Sequence, residues 1–264
     1  MRGRVVFVGA GPGDPELITV KGRNYLEDAD VVLYAGSLVN REILKYARRE
    51  AEIIDTASLT QEEISRIMVE RAKEGKLVVR VKSGDFSIYG ALMEELWSLQ
   101  DAGIDYELVP GITAALGAAS ALGIELTLPK ISQTVIITRA SVAVPMEGSL
   151  RDFAPLVNKG ACLAIYTGIH VVEKVVRELR EAGLADDTPV AIVYKATWPE
   201  QLSFKCRLSE LVNQVRKRKI SKDSIILVGK VVEPEKYKGE VRSSVYDPSH
   251  AHTFRPRKAP KRTR

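Results

Sequence analysis

Small residues, hydroxyl groups and glycines recur in loops that directly follow runs of apolar or β-branched residues. These loops lie at 9–15, 83–91, 110–114, 166–168 and 195–199. If each preceding run is a strand of an α/β sheet, the loops lie at the carboxyl ends of the strands, where such sheets bind ligands. Hydroxyls and backbone amides at these ends suit a polar ligand of roughly nucleoside size. The loops of both halves therefore predict one ligand-binding cleft.

The loop at 83–91 belongs to the stretch VKSGDFSIYGA, which follows the apolar run 77–81. Gly84 permits close approach of the backbone to a ligand, and Ser83, Asp85 and Tyr89 supply polar contacts. The same residues also fit an ordinary turn between a strand and a helix, with the aspartate at the start of the helix. This stretch alone favours the ordinary turn, so the case for a ligand-binding loop depends on the other loops.

The first loop, GAGPGDP at 9–15, begins like a dinucleotide-binding fingerprint but lacks its last glycine. Asp14 occupies that position and would repel a pyrophosphate, and no acidic residue ends the second predicted strand. The chain has no Gly-Lys-Ser/Thr sequence, and its histidines and cysteines do not have the spacing of zinc ligands. The pattern favours a rigid floor of small residues under a ligand, with no metal.

Strand-like runs alternate with helical patterns in the first half. Strands are predicted at 4–8, 31–34, 52–54, 76–81 and 106–109, and helices at about 15–27, 41–47, 61–74, 90–102 and 114–122. This alternation predicts a parallel sheet with helices on both faces. Thr60 and Glu63 form a capping box at the start of the third helix, which ends at Gly75.

The second half follows a predicted linker at 123–132. Strands are predicted at 134–139, 161–166, 190–194, 202–207 and 224–231, and helices at 171–181 and 208–217. Three strands with only one helix among them predict a mixed sheet. The expected organisation is two α/β domains, 1–123 and 124–240, followed by an extension, 241–264, with a disordered basic tail.

Composition excludes some classes of function. The chain has 264 residues and a net charge of +5, but six basic residues lie in 255–264, and the rest is close to neutral. A nucleic-acid partner would rest on this tail alone, so none is expected. No apolar run approaches the roughly 18 residues of a membrane helix, and no signal peptide precedes the first strand. Cys162 and Cys206 lie in apolar runs and fit small buried residues of a reducing compartment, so we expect a cytoplasmic protein.

Seven motifs follow one another along nearly the whole chain. They are GAGPGDPELIT (9–19), YAGSLV (34–39), SGDFSIYGA (83–91), VPGITAALGAASALG (109–123), LPKISQTVIITR (128–139), VYKATWPEQ (193–201) and RSSVYDPSHAHTFR (242–255). Together they resemble the precorrin-4 C11-methyltransferases of cobalamin biosynthesis. The first, third and fourth are shared by the wider family of tetrapyrrole methyltransferases that use S-adenosylmethionine. YAGSLV, ISQTVIITR and KATWPEQ are more specific to the C11 enzymes.

The resemblance implies a homodimer of the two-domain tetrapyrrole-methylase fold, with S-adenosylmethionine in the cleft between the domains. The methyl group would pass to C11 of precorrin-4 or cobalt-precorrin-4, giving precorrin-5 or its cobalt form. By motif position, the cofactor-binding residues would be Pro12, Ser83, Gly84, Asp85, Ile88, Tyr89, Thr113, Ala114, Tyr166, Thr167, Lys195, Ala196 and Thr197. The residues nearer the tetrapyrrole substrate would be Gly11, Gly13, Asp14 and Ser37.

In-line attack by a ring carbon on a sulfonium methyl group requires positioning and exclusion of water, and no nucleophile of the protein. Asp85 is a candidate general base, although a role as helix cap or as partner of a cofactor hydroxyl is favoured. Tyr89 and Tyr166 would, without the resemblance, fit core aromatic residues. Lys130 and Arg139 are candidates to bind substrate carboxylates.

The sequence departs from the family pattern at one position and leaves some roles open. The usual Ser-Gly-Asp-Pro reads Ser-Gly-Asp-Phe here, because Phe86 replaces the proline. An impaired ligand-binding member is therefore one alternative, and methylation of another tetrapyrrole position is a second. Trp198 fits loop packing, and His250 and His252 fit either an approach to the active site or exposure to solvent.

Overall fold

The computed structural model describes residues 3–140 and 148–243, together with Ala251 and Thr253. The described strands form two five-stranded sheets. The strands are β1 (Arg4–Gly9), β2 (Val31–Tyr34), β3 (Glu52–Asp55), β4 (Leu77–Lys82), β5 (Asp105–Val109), β6 (Val135–Arg139), β7 (Cys162–Tyr166), β8 (Pro189–Tyr194), β9 (Leu202–Arg207) and β10 (Ser224–Val228). The helices are α1 (Val20–Asp28), α2 (Gln61–Lys73), α3 (Leu92–Asp101), α4 (Ala114–Leu122), α5 (Leu150–Asn158), α6 (Val172–Glu181) and α7 (Leu211–Lys217).

The first sheet has the strand order β3-β2-β4-β1-β5, and its neighbouring strands run parallel. Successive residues of β1 point to opposite faces, as the pleat requires. Val5 and Phe7 pack in a core cluster with Met68 of α2 and Leu99 of α3, whereas Val6 lies in the cluster on the other face. The sheet is therefore buried on both faces, and the predicted parallel sheet is confirmed.

The second sheet has the order β6-β7-β10-β8-β9. β6 runs parallel to β7, and β10 runs antiparallel to β7. The predicted mixed sheet is confirmed, and with it the α/β fold class. The predicted strand 224–231 was too long, since β10 ends at Val228 and a short 3₁₀ helix, Lys230–Val232, follows Gly229.

Three predicted helices differ from the structure. The helix expected over 208–217 is a 3₁₀ turn, Leu208–Glu210, followed by α7. The helix expected over 15–27 is two elements, a 3₁₀ turn at Pro15–Leu17 and then α1, because the Thr19 hydroxyl accepts a hydrogen bond from Gly22 N and starts a new helix. The helix expected over 41–47 is a 3₁₀ helix, Arg41–Tyr46. The capping box of Thr60 and Glu63 is confirmed, and α2 ends before Gly75.

Helix α5 was not predicted. Pro155 lies inside it, and proline in a helix normally argues against helical structure. A capping box of Ser149 and Asp152 begins the helix, and Leu150 and Ala154 are buried on one side of it. The Ser-x-x-Asp spacing was thus the signal that could have revealed α5.

The chain divides into two compact units. The first comprises Met1–Gly123, Val193–Phe204 and Ser221–Ile225, and the second comprises Ile124–Ile192, Lys205–Ile220 and Ile226–Arg264. The first unit therefore contains the loop at 195–199 in addition to the loops that follow β1, β4 and β5. The division into domains at 123 and 240 stays a prediction.

Candidate functional site

The loops after β1, β4 and β5 are hydrogen-bonded to one another. These strands are neighbours in the parallel sheet, so their carboxyl ends lie along one edge. Gly11 N donates to the Gly84 carbonyl at 3.1 Å, and Gly84 N donates to the Gly11 carbonyl at 2.9 Å. The amide of Gly111 donates to Asp85 Oδ2 at 2.7 Å. Three of the loops predicted from sequence therefore form one continuous surface.

The carboxylate of Asp85 links two of these loops. Its Oδ1 accepts hydrogen bonds from the Ser87 amide, at 2.8 Å, and from the Ser87 hydroxyl, while its Oδ2 faces Gly111. The next helix, α3, begins only at Leu92 and has Ala91 at its N-cap, so the interpretation of Asp85 as a helix cap is wrong.

The same contacts decide the protonation of Asp85. Partial burial raises the pKa of this carboxyl, but the hydrogen bonds from Ser87 and Gly111 together outweigh burial, so the pKa lies below its usual value. A carboxylate this acidic is a weak proton acceptor near neutral pH, because an efficient general base has a pKa close to the working pH. The geometry therefore favours a structural or ligand-holding role.

Gly84 brings the β4 loop against the start of α4. Its φ of +61° lies in the left-handed region, which glycine adopts without strain. A Cβ atom built on Gly84 would lie 3.7 Å from Ala114 N and 3.7 Å from Thr113 Cα. Thr113 is the N-cap residue of α4, so Ser83, Gly84 and Asp85 lie beside the amino end of that helix. The structure thus brings together the cofactor-binding residues predicted in these two loops.

The 195–201 loop reaches the β1 loop within the first unit. The Asp14 amide donates to Thr197 Oγ1 at 2.9 Å, and Trp198 Nε1 donates to the Pro12 carbonyl at 3.0 Å. Ala196, between Lys195 and Thr197, is buried. Pro12, which is predicted to contact the cofactor, is therefore held by a segment about 190 residues later in the chain.

Several loop residues adopt a backbone conformation that is unfavourable for residues other than glycine. Tyr89, Ala91, Thr167, Lys195 and Thr197 have φ values of +54°, +47°, +51°, +46° and +69°. Such left-handed residues are uncommon and concentrate at functional sites, where the surrounding structure holds them. All of them lie in or directly beside loops that the sequence singled out. No residue-type pattern predicts this strain.

The remaining predicted cofactor residues are placed as follows. Ile88 N donates to the Asp85 carbonyl at 3.3 Å, and Tyr89 is half exposed beside it. In the second unit, Ala140 N donates to the Tyr166 carbonyl, and the Thr167 hydroxyl donates to the Ala140 carbonyl, both at 3.1 Å. Tyr166 and Thr167 are thus fixed to the residue that follows β6.

The candidate carboxylate-binding residues also lie in the second unit. Arg139 is half-buried at the end of β6, where it pairs with Tyr166 in the strand register. Lys130 is exposed and has a φ of +64°. Their role toward the substrate stays a prediction.

The residues predicted nearer the substrate lie in two segments. Residues 11–14, here called the floor loop, contain Gly11, Gly13 and Asp14, and Asp14 also accepts a hydrogen bond from Glu16 N through Oδ1 at 2.9 Å. Ser37 is exposed in the turn after β2. Asn40 was missed by sequence reasoning, although its Nδ2 donates to the Gly13 carbonyl at 3.0 Å. Asn40 therefore connects the segment after β2 to the floor loop.

A buried charge cluster, which sequence reasoning also missed, lies under the 83–91 loop. Lys82 Nζ donates to Glu95 Oε1 at 2.6 Å and to the Gly90 carbonyl at 2.9 Å. Arg80 Nη2 donates to the same Glu95 oxygen at 3.3 Å and its Nη1 donates to Thr56 Oγ1 at 3.1 Å. Burial lowers the pKa of Lys82, and Glu95 opposes part of this effect. The alternating Arg80 and Lys82 look like surface residues in sequence, so only their packing against α3 shows the cluster.

Phe86, the residue that replaces the family proline, faces the interior. It is 6% exposed and belongs to the core cluster that contains Leu96 and Leu99 of α3. The buried ring of Phe86 therefore attaches the 83–91 loop to the core, whereas a proline at this position would restrict only the backbone dihedral angle φ.

Other expectations concern residues that are not part of these loops in sequence. Cys162 is buried and Cys206 is half-buried, both are free, and burial raises their pKa values to about 12 and about 11. His250, His252 and the tail at 255–264 lie outside the described residues. Within the described ranges, no cluster of three histidine, cysteine or acidic residues is placed to bind a metal ion. No helix in those ranges is long and apolar enough to cross a membrane.

Comparison with known proteins gives consistent matches over most of the chain. Residues 4–212 match the model of the tetrapyrrole (corrin/porphyrin) methylases. The cobalt-precorrin-4 C(11)-methyltransferase of Methanocaldococcus jannaschii is 44% identical over 254 residues, which cover 96% of each chain. The X-ray structure of a cobalamin biosynthetic enzyme, cobalt precorrin-4 methyltransferase, superposes with a TM-score of 0.83 at 42% identity, covering 88% of this chain and 96% of that one. The uroporphyrin-III C-methyltransferase of Thermus thermophilus, complexed with S-adenosylhomocysteine, has a TM-score of 0.75 at 30% identity, covering 87% and 99%.

Proposed function

Because the chain belongs to the tetrapyrrole methylase family, we propose that it transfers the methyl group of S-adenosylmethionine to C11 of precorrin-4 or cobalt-precorrin-4 in cobalamin biosynthesis. The observation that carries this proposal is the nearly full-length match to a cobalt-precorrin-4 C(11)-methyltransferase. The loops described above supply the kind of surface that such a reaction requires.

The described residues fit the methyl donor chemically. When bound, S-adenosylmethionine supplies an electrophilic methyl group on a positively charged sulfur. The proposed contacts combine small side chains, hydroxyls and backbone amides at strand ends, and a Cβ atom placed on Gly84 would be in van der Waals contact, at 3.7 Å, with Thr113 and Ala114. These contacts are Pro12, Ser83, Gly84, Asp85, Ile88, Tyr89, Thr113, Ala114, Tyr166, Thr167, Lys195, Ala196 and Thr197.

The chain's own contribution to the reaction is positioning. Hydrogen bonds between Gly11 and Gly84, and from Gly111 to Asp85, fix the loops relative to one another. Preorganised loops of this kind lower the barrier of a two-substrate reaction, because the reactants lose little further freedom on reaching the transition state. The hydrogen bonds from Ser87 and Gly111 lower the pKa of Asp85 and favour its ionised form, so its proposed role is to hold the loops and a ligand.

The substrate side of the proposal rests on the floor loop. Gly11, Gly13 and Asp14 would lie nearest the tetrapyrrole, together with Ser37 in the turn after β2. The acidic side chains of a precorrin would pair with cations, for which Arg139 and Lys130 are proposed. The protein is further proposed to be a cytoplasmic homodimer, and its mass in sedimentation equilibrium tests the oligomeric state.

Turnover tests the function directly. The protein is incubated without oxygen with S-adenosylmethionine and either precorrin-4 or its cobalt form, and the product is analysed by mass spectrometry. A product heavier by one methylene unit, together with S-adenosylhomocysteine, is expected. A Gly84→Val variant should lose this activity, because valine is strained at this φ and would displace the loop that is hydrogen-bonded to Gly11 and contacts Thr113. A Gly103→Val variant is the matched control, since Gly103 has a similar φ of +65° but lies at the end of α3. Absence of the heavier product with the unaltered protein would overturn the proposal.

A further inference from the structure

Side chains and backbone from separate segments hold the floor loop. The Gly11 amide donates to the Gly84 carbonyl, and the Asp14 amide donates to Thr197 Oγ1. The two carbonyls between them accept side-chain donors, Trp198 Nε1 on Pro12 and Asn40 Nδ2 on Gly13. Each of these contacts restricts the conformations of the floor loop, so residues outside the loop determine its position.

Trp198 also fixes the floor loop by packing. A Cβ atom built on Gly13 would lie 2.0 Å from Cδ1 and 2.3 Å from Nε1 of the indole, so the ring lies directly against this glycine. A methyl group at position 13 would require either the ring or the loop to move. The indole is therefore in contact with the floor loop and hydrogen-bonded to it at the same time.

The indole is itself held in place. Lys195 Nζ lies 4.8 Å from the centroid of the Trp198 ring, a distance at which the ammonium group is attracted to the aromatic face. The Trp198 amide donates to the Lys195 carbonyl at 3.0 Å, and the Gln201 side chain accepts from Thr197 N at 2.7 Å. These contacts hold the 195–201 loop rigid. The position of the floor loop therefore depends on the position of the 195–201 loop, through the Trp198 side chain.

We propose that Trp198 is a positioning residue, which sets the floor loop beneath the tetrapyrrole and so places the reacting ring carbon relative to the methyl donor. This inference rests on the proposed function. Thr197 belongs to the proposed cofactor contacts and also accepts from Asp14, so the 195–201 loop connects the donor side of the site to the substrate side. A shift of about 1 Å in such a contact costs on the order of a hundredfold in rate.

The test compares Trp198→Phe with Trp97→Phe. The chain has two tryptophans, and Trp97 is half exposed on α3, so its replacement is a matched control. Phenylalanine keeps an aromatic ring against Gly13 but cannot donate to Pro12. We expect kcat for methylation of the tetrapyrrole to fall about tenfold to a hundredfold in Trp198→Phe. The Kd of S-adenosylhomocysteine, measured by calorimetry, should stay within about twofold, as should all constants of Trp97→Phe.

The outcomes separate this inference from the proposed function. If the unaltered protein and Trp97→Phe produce no methylated tetrapyrrole, the proposed function fails. If both are active and Trp198→Phe is equally active, the inference is overturned, as it is when Trp198→Phe mainly weakens S-adenosylhomocysteine binding. Should Trp198→Phe not fold, Gly13→Ala carries the same test, because its added methyl group would require the indole or the floor loop to move; unchanged kcat in that variant contradicts the inference.

Discussion

Replacing Glu95 by glutamine tests whether the cluster under the 83–91 loop is ionic. The Glu95 side chain is fully buried, and one of its oxygens faces both Lys82 and Arg80, whose side chains are 7% and 5% exposed. Among the described residues no hydrogen-bond partner reaches the other oxygen, Oε2. Glutamine keeps the shape of the side chain but leaves two buried cations without a counter-charge. Breaking a buried pair in this way costs about 3–5 kcal/mol of unfolding free energy.

The same variant has a pH dependence with a definite sign. Burial lowers the pKa of Lys82 in the folded protein below its ordinary 10.5, so the unfolded chain binds more protons between the two values. The unfolding free energy therefore contains a Lys82 contribution that increases as pH rises through this window toward 10.5. Loss of Glu95 lowers the pKa of Lys82 in the folded protein further, so the deficit of Glu95→Gln should be largest below this new pKa and shrink as pH rises to the Lys82 pKa of the unaltered folded protein.

The measurement is the urea dependence of tryptophan fluorescence at several pH values. Both tryptophans lie in the first unit, so the signal follows unfolding around the cluster. Glu94→Gln is the matched control, because Glu94 is the exposed neighbour on the same helix and its loss should change the unfolding free energy by less than about 0.5 kcal/mol. A deficit below about 1 kcal/mol for Glu95→Gln, or one that does not depend on pH, would refute the ionic account of the cluster.

Three further predictions concern the first unit. Asp85→Asn should raise KM for S-adenosylmethionine while leaving the pH profile of kcat between pH 5 and 8 unchanged, because Asp85 is already ionised there; loss of the acidic limb together with most of kcat would instead identify it as the base. Phe86→Ala should lower the unfolding free energy by about 3–5 kcal/mol in urea titration, since its ring is buried, and a cost below about 1 kcal/mol would contradict that packing. Thr60→Ala should cost about 0.5–2 kcal/mol by loss of the capping box with Glu63, whereas an unchanged melting temperature would show that the cap is dispensable.

Local patterns in the sequence were sufficient for the strands and for most helices. Buried parallel strands are continuous apolar runs, and β2 matches its predicted bounds. Helices failed where a cap outweighed periodicity, as at Thr19, or where Pro155 concealed a helix with a sound capping box. In both cases the cap was a local signal already present in the sequence, and periodicity or the proline was given more weight.

For the candidate site, the sequence revealed the loops but not the contacts that hold them. Glycine, serine and threonine at strand ends identified 83–85 and 113–114 correctly as neighbours of one sheet edge. Asn40 was missed and Trp198 was assigned only to loop packing, because their contacts are to the floor loop, which is distant from Trp198 in sequence. Lys82 and Glu95 were missed for a similar reason, since charged residues are exposed by default and become informative only when burial is known.

The most direct test of the central claim is the position of the transferred methyl group. S-adenosylmethionine with a ¹³C-labelled methyl group is incubated without oxygen with the protein and precorrin-4 or cobalt-precorrin-4, and the product is examined by NMR. The proposed function predicts a single enriched methyl resonance, with its carbon coupled to C11 of the macrocycle. Enrichment at another ring carbon, or turnover only with uroporphyrinogen, would contradict it.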